Sequence, residues 1–292
     1  MAAILSSLQW ELDNLVMGPG TDINIAHYDI GAPELITNDA PVPRGDGERH
    51  GGEYRSGRTI TFELNALAGD FSVLDGPLSR LTAVWDGEDR RSQAGAYSLL
   101  RYRLGNRVRR VWGSPREFQS DTSLDYQGNV PITASFRTVD PRFYDDTEQA
   151  NTVSIAPSAA GGLLPPLAAP LSTLGVSHAP GVITVGGNCK TWIYFRVNGP
   201  ITNPRIENFG NWHYQLNMTI PQGQSVTIDP RPWSRGVRLN GTVAVGGSQT
   251  QDSIPLAQMK VSPGIQEIIL SGQDITQTAS MLAAWRSAYT NY

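Results

Sequence analysis

The sequence predicts an all-β protein with one or two short helices, divided into two domains. The 292 residues include 30 Gly and 20 Pro, which favour many short strands joined by tight turns over long helices. A hydrophobic content of 39% with 17% charged residues is typical of a globular chain, and this length is too great for one ordinary core. Between residues 195 and 241, a turn signal of Gly, Asn, Asp or Pro stands at every reversal expected for a β-meander.

Alternating apolar positions and turn signals define the elements of the first half. Asp75-Gly76-Pro77 marks the start of the one clear helix, and Gly105-Asn106 turns a hairpin. Residues 38–58 form a long polar excursion, and excursions of this length are usually functional or mobile. The predicted elements are strands at 8–16, 23–30, 58–64, 97–104, 107–112 and 132–139, with the helix at 78–85.

The meander accounts for most of the second half. Its strands are predicted at 195–197, 205–209, 214–220, 225–228 and 238–239. The last segment, 277–289, is ambiguous by composition alone, because its Ala, Met and Leu residues favour a helix by intrinsic propensity.

The two halves differ in charge, and such a change usually marks a domain boundary. Residues 1–150 hold 22 acidic and 15 basic residues, a net charge of −7, whereas residues 151–292 hold 5 and 8, a net charge of +3. A segment rich in Pro and Leu, without charge, joins them. We therefore predict an N-terminal domain over 1–155, a strap over 156–181 and a C-terminal domain over 182–292. The strap suits either the surface of a neighbouring subunit or its own chain.

The order of turn and apolar residues in the meander resembles the C-terminal domain of distal tail proteins, the ring proteins at the tail tip of siphophages. The matching positions are Gly199, Asn203, Pro204, Ile206, Leu216, Thr219, Gly223, Ile228 and Asp229. The first half is similar to minor tail proteins of actinobacteriophages and mycobacteriophages, through segments 57–61, 109–113 and 136–144. The resemblance implies an N-terminal ring domain built as a tail-tube-like β-barrel or sandwich, and a C-terminal galectin-like β-sandwich. It also implies that residues 277–289 form a strand.

The same resemblance implies a structural virion protein without enzymatic activity, assembled in the host bacterial cytoplasm. Distal tail proteins form a homohexameric ring in the baseplate, which joins the tail tube protein to the hub, tip and fibre proteins. The tape measure protein or DNA passes transiently through the channel of such a ring. No membrane insertion is expected, because no apolar run approaches the roughly 20 residues that span a bilayer.

Two groups of residues are candidates for contacts between copies. Arg101, Arg103, Arg107 and Arg109 alternate on both arms of one hairpin, so they are expected to project from one face. Ion pairs with carboxylates of a neighbouring copy are favoured over a phosphate-contacting ribbon, because the domain is net acidic. The polar excursion and the strap contribute the remaining interface candidates: Arg44, Asp46, Arg49, Arg55, Leu163 and Leu167.

Aromatic residues crowd the second domain and raise an alternative function. Trp and Tyr rings stack on sugars, so a host-surface carbohydrate-binding tail protein is the alternative, with candidates Trp192, Tyr194, Trp212 and Trp233. A place in the sandwich core or at an interface is favoured for these residues, since both environments are also rich in Trp and Tyr.

No catalytic, metal or cofactor site is predicted. No Ser, Cys or Thr stands in a recognisable nucleophile pattern, and the four histidines never have zinc-ligand spacing. A cell-wall hydrolase stays open as a rival because paired carboxylates meet only in three dimensions. The five acidic residues of the second half are few for such an enzyme.

Overall fold

The chain folds into two compact units. Unit 1 comprises Met1–Asp146 with Thr290–Tyr292, and unit 2 comprises Thr147–Tyr289. Residues 149–154, which are predicted to belong to the N-terminal domain, form a strand of unit 2. The strap lies outside the described residues except for Gly181, so its role stays a prediction. The computed structural model describes residues 4–68, 75–121, 123, 128–155 and 181–292.

The described part of unit 1 contains short and long strands and two helices. Its strands are β1 (Trp10–Leu12), β2 (Leu15–Met17), β3 (Ile23–Ile30), β4 (Leu35–Ile36), β5 (Ala40–Pro41), β6 (Glu48–Arg49), β7 (Tyr54–Arg55), β8 (Thr59–Leu67), β9 (Ser98–Leu104), β10 (Arg107–Ser120), β11 (Asn129–Thr138) and β12 (Phe143–Asp145). Its helices are α1 (Asp75–Asp86) and α2 (Glu88–Arg91).

One antiparallel sheet forms the body of unit 1, in the order β2-β1-β9-β10-β11-β8-β3, with β12 paired to β10. Along β8, every second side chain is buried, which gives this strand one apolar face; the buried positions are Ile60, Phe62, Leu64 and Ala66. The buried Trp10 meets Phe62 edge to face, with ring centroids 5.0 Å apart. Helix α1 buries Pro77, Leu81 and Trp85 at spacings of four residues, which confirms the predicted helix.

A β arm extends the β3–β8 pair. We define the arm as residues 31–58, in which β4 pairs with β7 and β5 pairs with β6. The predicted polar excursion therefore forms nested two-stranded ribbons, and most of its side chains are exposed. The short ribbons were missed in the sequence because the exposed arm has no buried face to impose a period-2 apolar pattern.

Unit 2 is a sandwich of two sheets. Its strands are β13 (Gln149–Ser154), β14 (Gly181–Val185), β15 (Thr191–Asn198), β16 (Ile201–Asn208), β17 (Trp212–Gln215), β18 (Thr219–Ile220), β19 (Ser225–Asp229), β20 (Gly236–Leu239), β21 (Val243–Ala244), β22 (Lys260–Val261), β23 (Gly264–Gln273), β24 (Ser280–Trp285) and β25 (Ala288–Tyr289). The first sheet runs β13-β24-β15-β19-β20-β21 with β22 beside β15, and the second runs β14-β23-β16-β17 with β18 beside β16.

The core of unit 2 lies between these two sheets. Phe195 and Ile228 of the first sheet share one hydrophobic cluster with Ile206, Tyr214 and Leu270 of the second. The all-β fold class is confirmed, and four of the five predicted meander strands each overlap one observed strand. The strand predicted at 214–220 is wrong as one element, because the chain leaves the sheet at 217–218 and forms the separate strands β17 and β18. The ambiguous last segment is a strand, since β24 pairs with both β13 and β15.

Candidate interaction surfaces

The β9–β10 hairpin carries the predicted arginine group, and its register fixes which face each arginine occupies. The turn at Gly105-Asn106 pairs Leu104 with Arg107, and the ladder then pairs Arg101 with Arg110 and Tyr102 with Arg109. Directly paired residues share one face of a sheet. Arg101 and Arg103 therefore lie on one face and Arg107 and Arg109 on the other, so the expectation of a single arginine face is wrong.

Arg101 is buried in an ion-pair cluster. Its Nη1 contacts the carboxylate of Glu11, and its Nε and Nη2 each lie 2.8 Å from an oxygen of Asp146. Arg110 donates from Nε to the same Asp146 carboxylate at 2.9 Å. The charge of Arg101 is thus neutralised by carboxylates within unit 1.

Two members of this cluster, Arg101 and Asp146, have shifted pKa values. Hydrogen bonding to Asp146 raises the pKa of Arg101 above its ordinary value. Burial alone raises the pKa of Asp146, but hydrogen bonds from Arg101 and Arg110 outweigh it, so that pKa lies below its usual range. Both shifts favour the charged pair over its neutral forms.

The other predicted hairpin arginines differ in exposure. Arg109 is buried and donates from Nη1 to the backbone carbonyl of Asn291. Arg103 is half-buried and donates to the backbone carbonyls of Leu5 at 2.8 Å and Gly105 at 2.9 Å. Arg107 is exposed. Because Arg101 and Arg109 are buried within unit 1, the proposal of an interface on this hairpin rests on Arg103 and Arg107.

The arm presents the second predicted group on its surface. Arg44 and Asp46 lie in its terminal turn, where the backbone N–H of Val42 donates to the carbonyl of Gly47 at 3.0 Å. Arg49 lies on β6 and Arg55 on β7, and all four charged side chains are exposed. The remaining interface candidates, Leu163 and Leu167, lie outside the described residues.

Large apolar side chains are also exposed on the arm. Tyr54 pairs with Ile36 across the β4–β7 ribbon, and Leu35 follows as the neighbour of Arg55. Tyr54 is 66% exposed, Ile36 50% and Leu35 49%. Tyr54 and Ile36 share one face of the ribbon and Leu35 lies on the other, because successive side chains of a strand point to opposite faces. An exposed apolar pair of this kind is typical of a surface that another element covers.

The four aromatic candidates of unit 2 do not form one platform. Trp192 and Tyr194 share the outer face of β15, where Lys260 lies 4.8 Å from the Trp192 ring centroid and Arg231 lies 5.0 Å from that of Tyr194. Trp212 belongs to the other sheet, packs against the core and donates from Nε1 to the carbonyl of Lys260 at 2.9 Å. Trp233 is half-buried in the turn after β19.

The outer face of the first sheet contains polar residues that the sequence reasoning missed. Arg196 continues the outward positions of β15 after Trp192 and Tyr194, and Thr227 of β19 is its direct neighbour. Tyr194, Arg196 and Thr227 line an open cavity of about 380 Å³. The signal for Arg196 in the sequence is the alternation Trp192-Tyr194-Arg196, which places the three side chains on one face of a strand.

The acidic residues near this face are already paired. Asp229 accepts hydrogen bonds from Nε and Nη2 of Arg231, at 2.8 and 2.7 Å, and from the hydroxyl of Ser234 at 2.7 Å. Glu148 lies 3.5 Å from Arg231 and 3.6 Å from Arg286. Burial lowers the pKa of Arg231, but its contacts with Asp229 outweigh this, and the pKa is raised above its ordinary value.

Neither a metal cluster nor a membrane helix is found in the described part of the chain. Within the described ranges, no three His, Cys, Asp or Glu side chains gather as a metal ion would require. None of the described helices has the length and apolar character needed to cross a bilayer.

The architecture of the whole chain matches solved phage structures, although no protein-family model and no curated protein matches the sequence. The Dit protein of phage SPP1, described as a paradigm of the hub adsorption apparatus in phages that infect Gram-positive bacteria, aligns with a TM-score of 0.59 at 9% identity, covering 97% of this chain and 99% of that chain. Chains of the phage P2 baseplate in its activated conformation, with Ca or Sr, align with TM-scores of 0.54 and 0.53 at 12% identity, covering 96% of this chain and 98% of theirs.

The protein therefore has the fold of phage distal tail and baseplate proteins. The alignment spans nearly all of both chains, so it covers both units and not one common sandwich alone. At the level of the fold, this confirms the resemblance to distal tail proteins found in the meander and in the first half.

Proposed function

We propose that this protein is a structural component of the tail tip of a long-tailed bacteriophage, where copies of the chain associate into a ring. The observation that carries the proposal is the likeness to the SPP1 Dit protein over 97% of this chain. On this proposal the protein acts by assembly in the virion, without a catalytic step. Its partners are further copies of itself, the tail tube protein, and the hub and fibre proteins.

The arm is the element best suited to joining copies. Tyr54 and Ile36 are 66% and 50% exposed on one face of the β4–β7 ribbon, and burying this pair against a second copy would remove its apolar surface from water. In a closed cyclic ring each copy gives one arm and receives one, so no arm is left without a partner. The charged residues Arg44, Asp46, Arg49 and Arg55 would then set register through ion pairs at the rim of the contact.

The acidic character of unit 1 supports a channel role within the proposed ring. Unit 1 holds 21 acidic and 15 basic residues, whereas unit 2 holds 6 and 8. If unit 1 lines the central hole, part of this excess faces the lumen and repels DNA phosphates, so that the genome passes without adhering. We hypothesise a hexamer from the sequence resemblance. A lumen found to be lined mainly by Arg and Lys would contradict the channel hypothesis.

The test is negative-stain imaging and light scattering of the purified chain at high concentration. We expect sixfold rings with a central hole for the wild type. The variant Ile36→Ser/Tyr54→Ser should remain folded and lose the ring, because it removes the apolar surface of the arm. Ile265→Ser is the matched control, since Ile265 is 76% exposed on β23 of unit 2. Rings that persist unchanged in the arm variant would overturn the role of the arm, and wild-type monomers at every concentration would count against self-assembly.

A further inference from the structure

A polar cavity opens on the outer face of the first sheet of unit 2, away from its hydrophobic core. Its volume is about 380 Å³, and its side-chain lining combines one phenol ring, one guanidinium group, two aliphatic hydroxyls and one amide: Tyr194, Arg196, Ser225, Thr227 and Asn240. Strands β15 and β19 supply four of these side chains, with Arg196 and Thr227 directly paired, and Asn240 lies in the turn that follows β20. Paired strands therefore hold the arginine, the tyrosine ring and the two aliphatic hydroxyls at fixed spacing, and the turns at Gly223 and Asn240-Gly241 complete the lining.

The guanidinium of Arg196 is available to a ligand. Its Nε donates to the hydroxyl of Ser225 at 3.3 Å, and among the described residues no carboxylate lies within ion-pair distance of it. Arg238 is the next residue in the same row, since Thr227 pairs with Arg196 on one side and with Arg238 on the other. Within the described ranges Arg238 likewise forms no ion pair. Two uncompensated guanidinium groups thus flank Thr227.

The nearest acidic residues do not cancel this charge. Asp229 is held by Arg231 and Ser234, and Glu148 lies between Arg231 and Arg286. Both carboxylates therefore already lie within ion-pair distance of Arg231 or Arg286. Lys260 and Arg235 lie beside the Trp192 ring of this face, whereas Arg196 and Arg238 carry the positive charge around Thr227. The planar forks of these two arginines suit carboxylate or phosphate oxygens.

The remaining groups suit a hydroxylated ligand. Asn240 accepts the backbone N–H of Ser225 at 3.0 Å through Oδ1, which leaves its two amide hydrogens for a ligand. Thr227 donates its hydroxyl hydrogen to the carbonyl of Arg238 at 3.2 Å, which leaves its oxygen as an acceptor. Tyr194 adds a ring held in place by Arg231, 5.0 Å from its centroid. Donors and acceptors beside one aromatic ring match the hydroxyl groups and the C–H faces of a sugar.

We propose that this cavity is a binding site for an acidic saccharide, with Arg196 contacting the anionic group and Thr227, Asn240 and Tyr194 contacting the sugar. The site goes beyond the proposed tail-tip role, because it needs a single copy of unit 2 and no ring. A nucleic acid fits less well, since unit 2 holds 8 basic and 6 acidic residues and presents one aromatic ring in the cavity where a strand of bases would need several. The shared ligand chemistry is a sugar or polyol polymer with carboxylate or phosphate groups.

The experiment is calorimetric titration of the full chain with four probes at physiological ionic strength. The probes are polygalacturonate for carboxylate, a polyol phosphate polymer for phosphate, dextran as a neutral saccharide, and duplex DNA as another polyanion. We expect one or both acidic saccharide polymers to bind, and the preferred polymer identifies the anion. Arg196→Ala should weaken that binding by about tenfold, the loss expected for a hydrogen bond to a charged group.

Arg205→Ala is the matched control. This substitution removes the same charge from β16 of the opposite sheet, where Arg205 lies 3.6 Å from Glu207. It should alter binding by less than about twofold. Thr227→Val provides a second variant that keeps the side-chain shape and removes the hydroxyl, and it should also weaken binding. The proposal is overturned if no acidic polymer binds, if both arginine variants lose affinity equally, or if DNA or dextran binds as tightly as the acidic polymers.

Discussion

Arginines lie on antiparallel strands in two regions of the molecule: the β9–β10 hairpin and the outer face of the β15–β19–β20 sheet. The two regions differ in whether a carboxylate neutralises the charge of the arginine. Arg101 meets two carboxylates and is 5% exposed. Arg196 and Arg238 meet none among the described residues, and both are exposed. Unit 1 is net acidic and unit 2 net basic, but the sign of the net charge does not identify the available cations. The local partners of each arginine identify them, because only a cation without a carboxylate partner can form an ion pair with a ligand.

The largest expected effect comes from removing the cation of the buried cluster. Arg101→Ala leaves Glu11, which is 3% exposed, without its partner. Such an uncompensated buried charge should lower the free energy of unfolding of unit 1 by about 3–5 kcal/mol. Hydrogen exchange of β9 and β10 amides in the intact chain measures this, with unit 2 amides as the internal reference. Arg107→Ala, on the exposed face of the same hairpin, should change stability by less than about 0.5 kcal/mol. Equal effects of the two variants would contradict the contrast between paired and exposed arginines.

Acid should weaken the same cluster through Asp146. The pKa of Asp146 lies below its usual range, because hydrogen bonds from Arg101 and Arg110 outweigh its burial. Its contribution to stability is therefore complete above the unfolded-state pKa of about 3.9 and is lost as pH falls through the folded-state pKa. Asp146→Asn should lower stability at neutral pH and make the loss of unit 1 stability in acid shallower. Unfolding midpoints across this pH range test it, and parallel curves for the variant and the wild type would exclude Asp146 as a source of the acid sensitivity.

A smaller effect is expected at the turn that sets the hairpin register. Gly105 has a φ of 58°, in the left-handed region that costs a residue with a side chain about 1–2 kcal/mol. Gly105→Ala should destabilise unit 1 by this amount while keeping the pairing of Arg101 with Arg110. Gly76→Ala is a control with open space around the added methyl group and no positive φ. Denaturant unfolding followed by hydrogen exchange separates the two variants, and no difference between them would argue against strain at this turn.

Local patterns in the sequence predicted much of the fold. Strand β3 occupies the predicted 23–30, where it forms an antiparallel ladder with β8. The hairpin turn at Gly105-Asn106 is equally predictable from the sequence, since Gly adopts the positive φ that the turn requires. The C-terminal strand needed the family resemblance, because the propensity of its Ala, Met and Leu residues favours a helix, and only pairing with β13 and β15 overrides that preference.

The candidate sites were less predictable, because they depend on contacts between distant residues. Arg101 meets Asp146 across 45 positions and Glu11 across 90, and no local pattern reveals such partners. The alternation of arginines on each arm does not by itself show whether the two sets lie on the same face. The two-residue turn decides this, because it pairs Leu104 with Arg107 and so places Arg107 on the face opposite Arg101 and Arg103. Trp212 was grouped with Trp192 by proximity in sequence, and the fold places them on different sheets.

The smallest expected effect on stability comes from removing Arg196, the exposed arginine in the contrast with the buried Arg101. Arg196 is exposed and has one described hydrogen bond, to Ser225, so Arg196→Ala should change the free energy of unfolding of unit 2 by less than about 0.5 kcal/mol. Phe195→Ala is the reference for the same strand, because Phe195 is fully buried and its loss should cost about 3–5 kcal/mol. Hydrogen exchange of β15 and β19 amides measures both variants in one experiment. A large loss for Arg196→Ala would mean that this arginine stabilises the sheet itself, and its side chain would then not be free to hold an anion. A negligible loss combined with weakened saccharide binding is the result that separates a ligand-binding arginine from the structural Arg101.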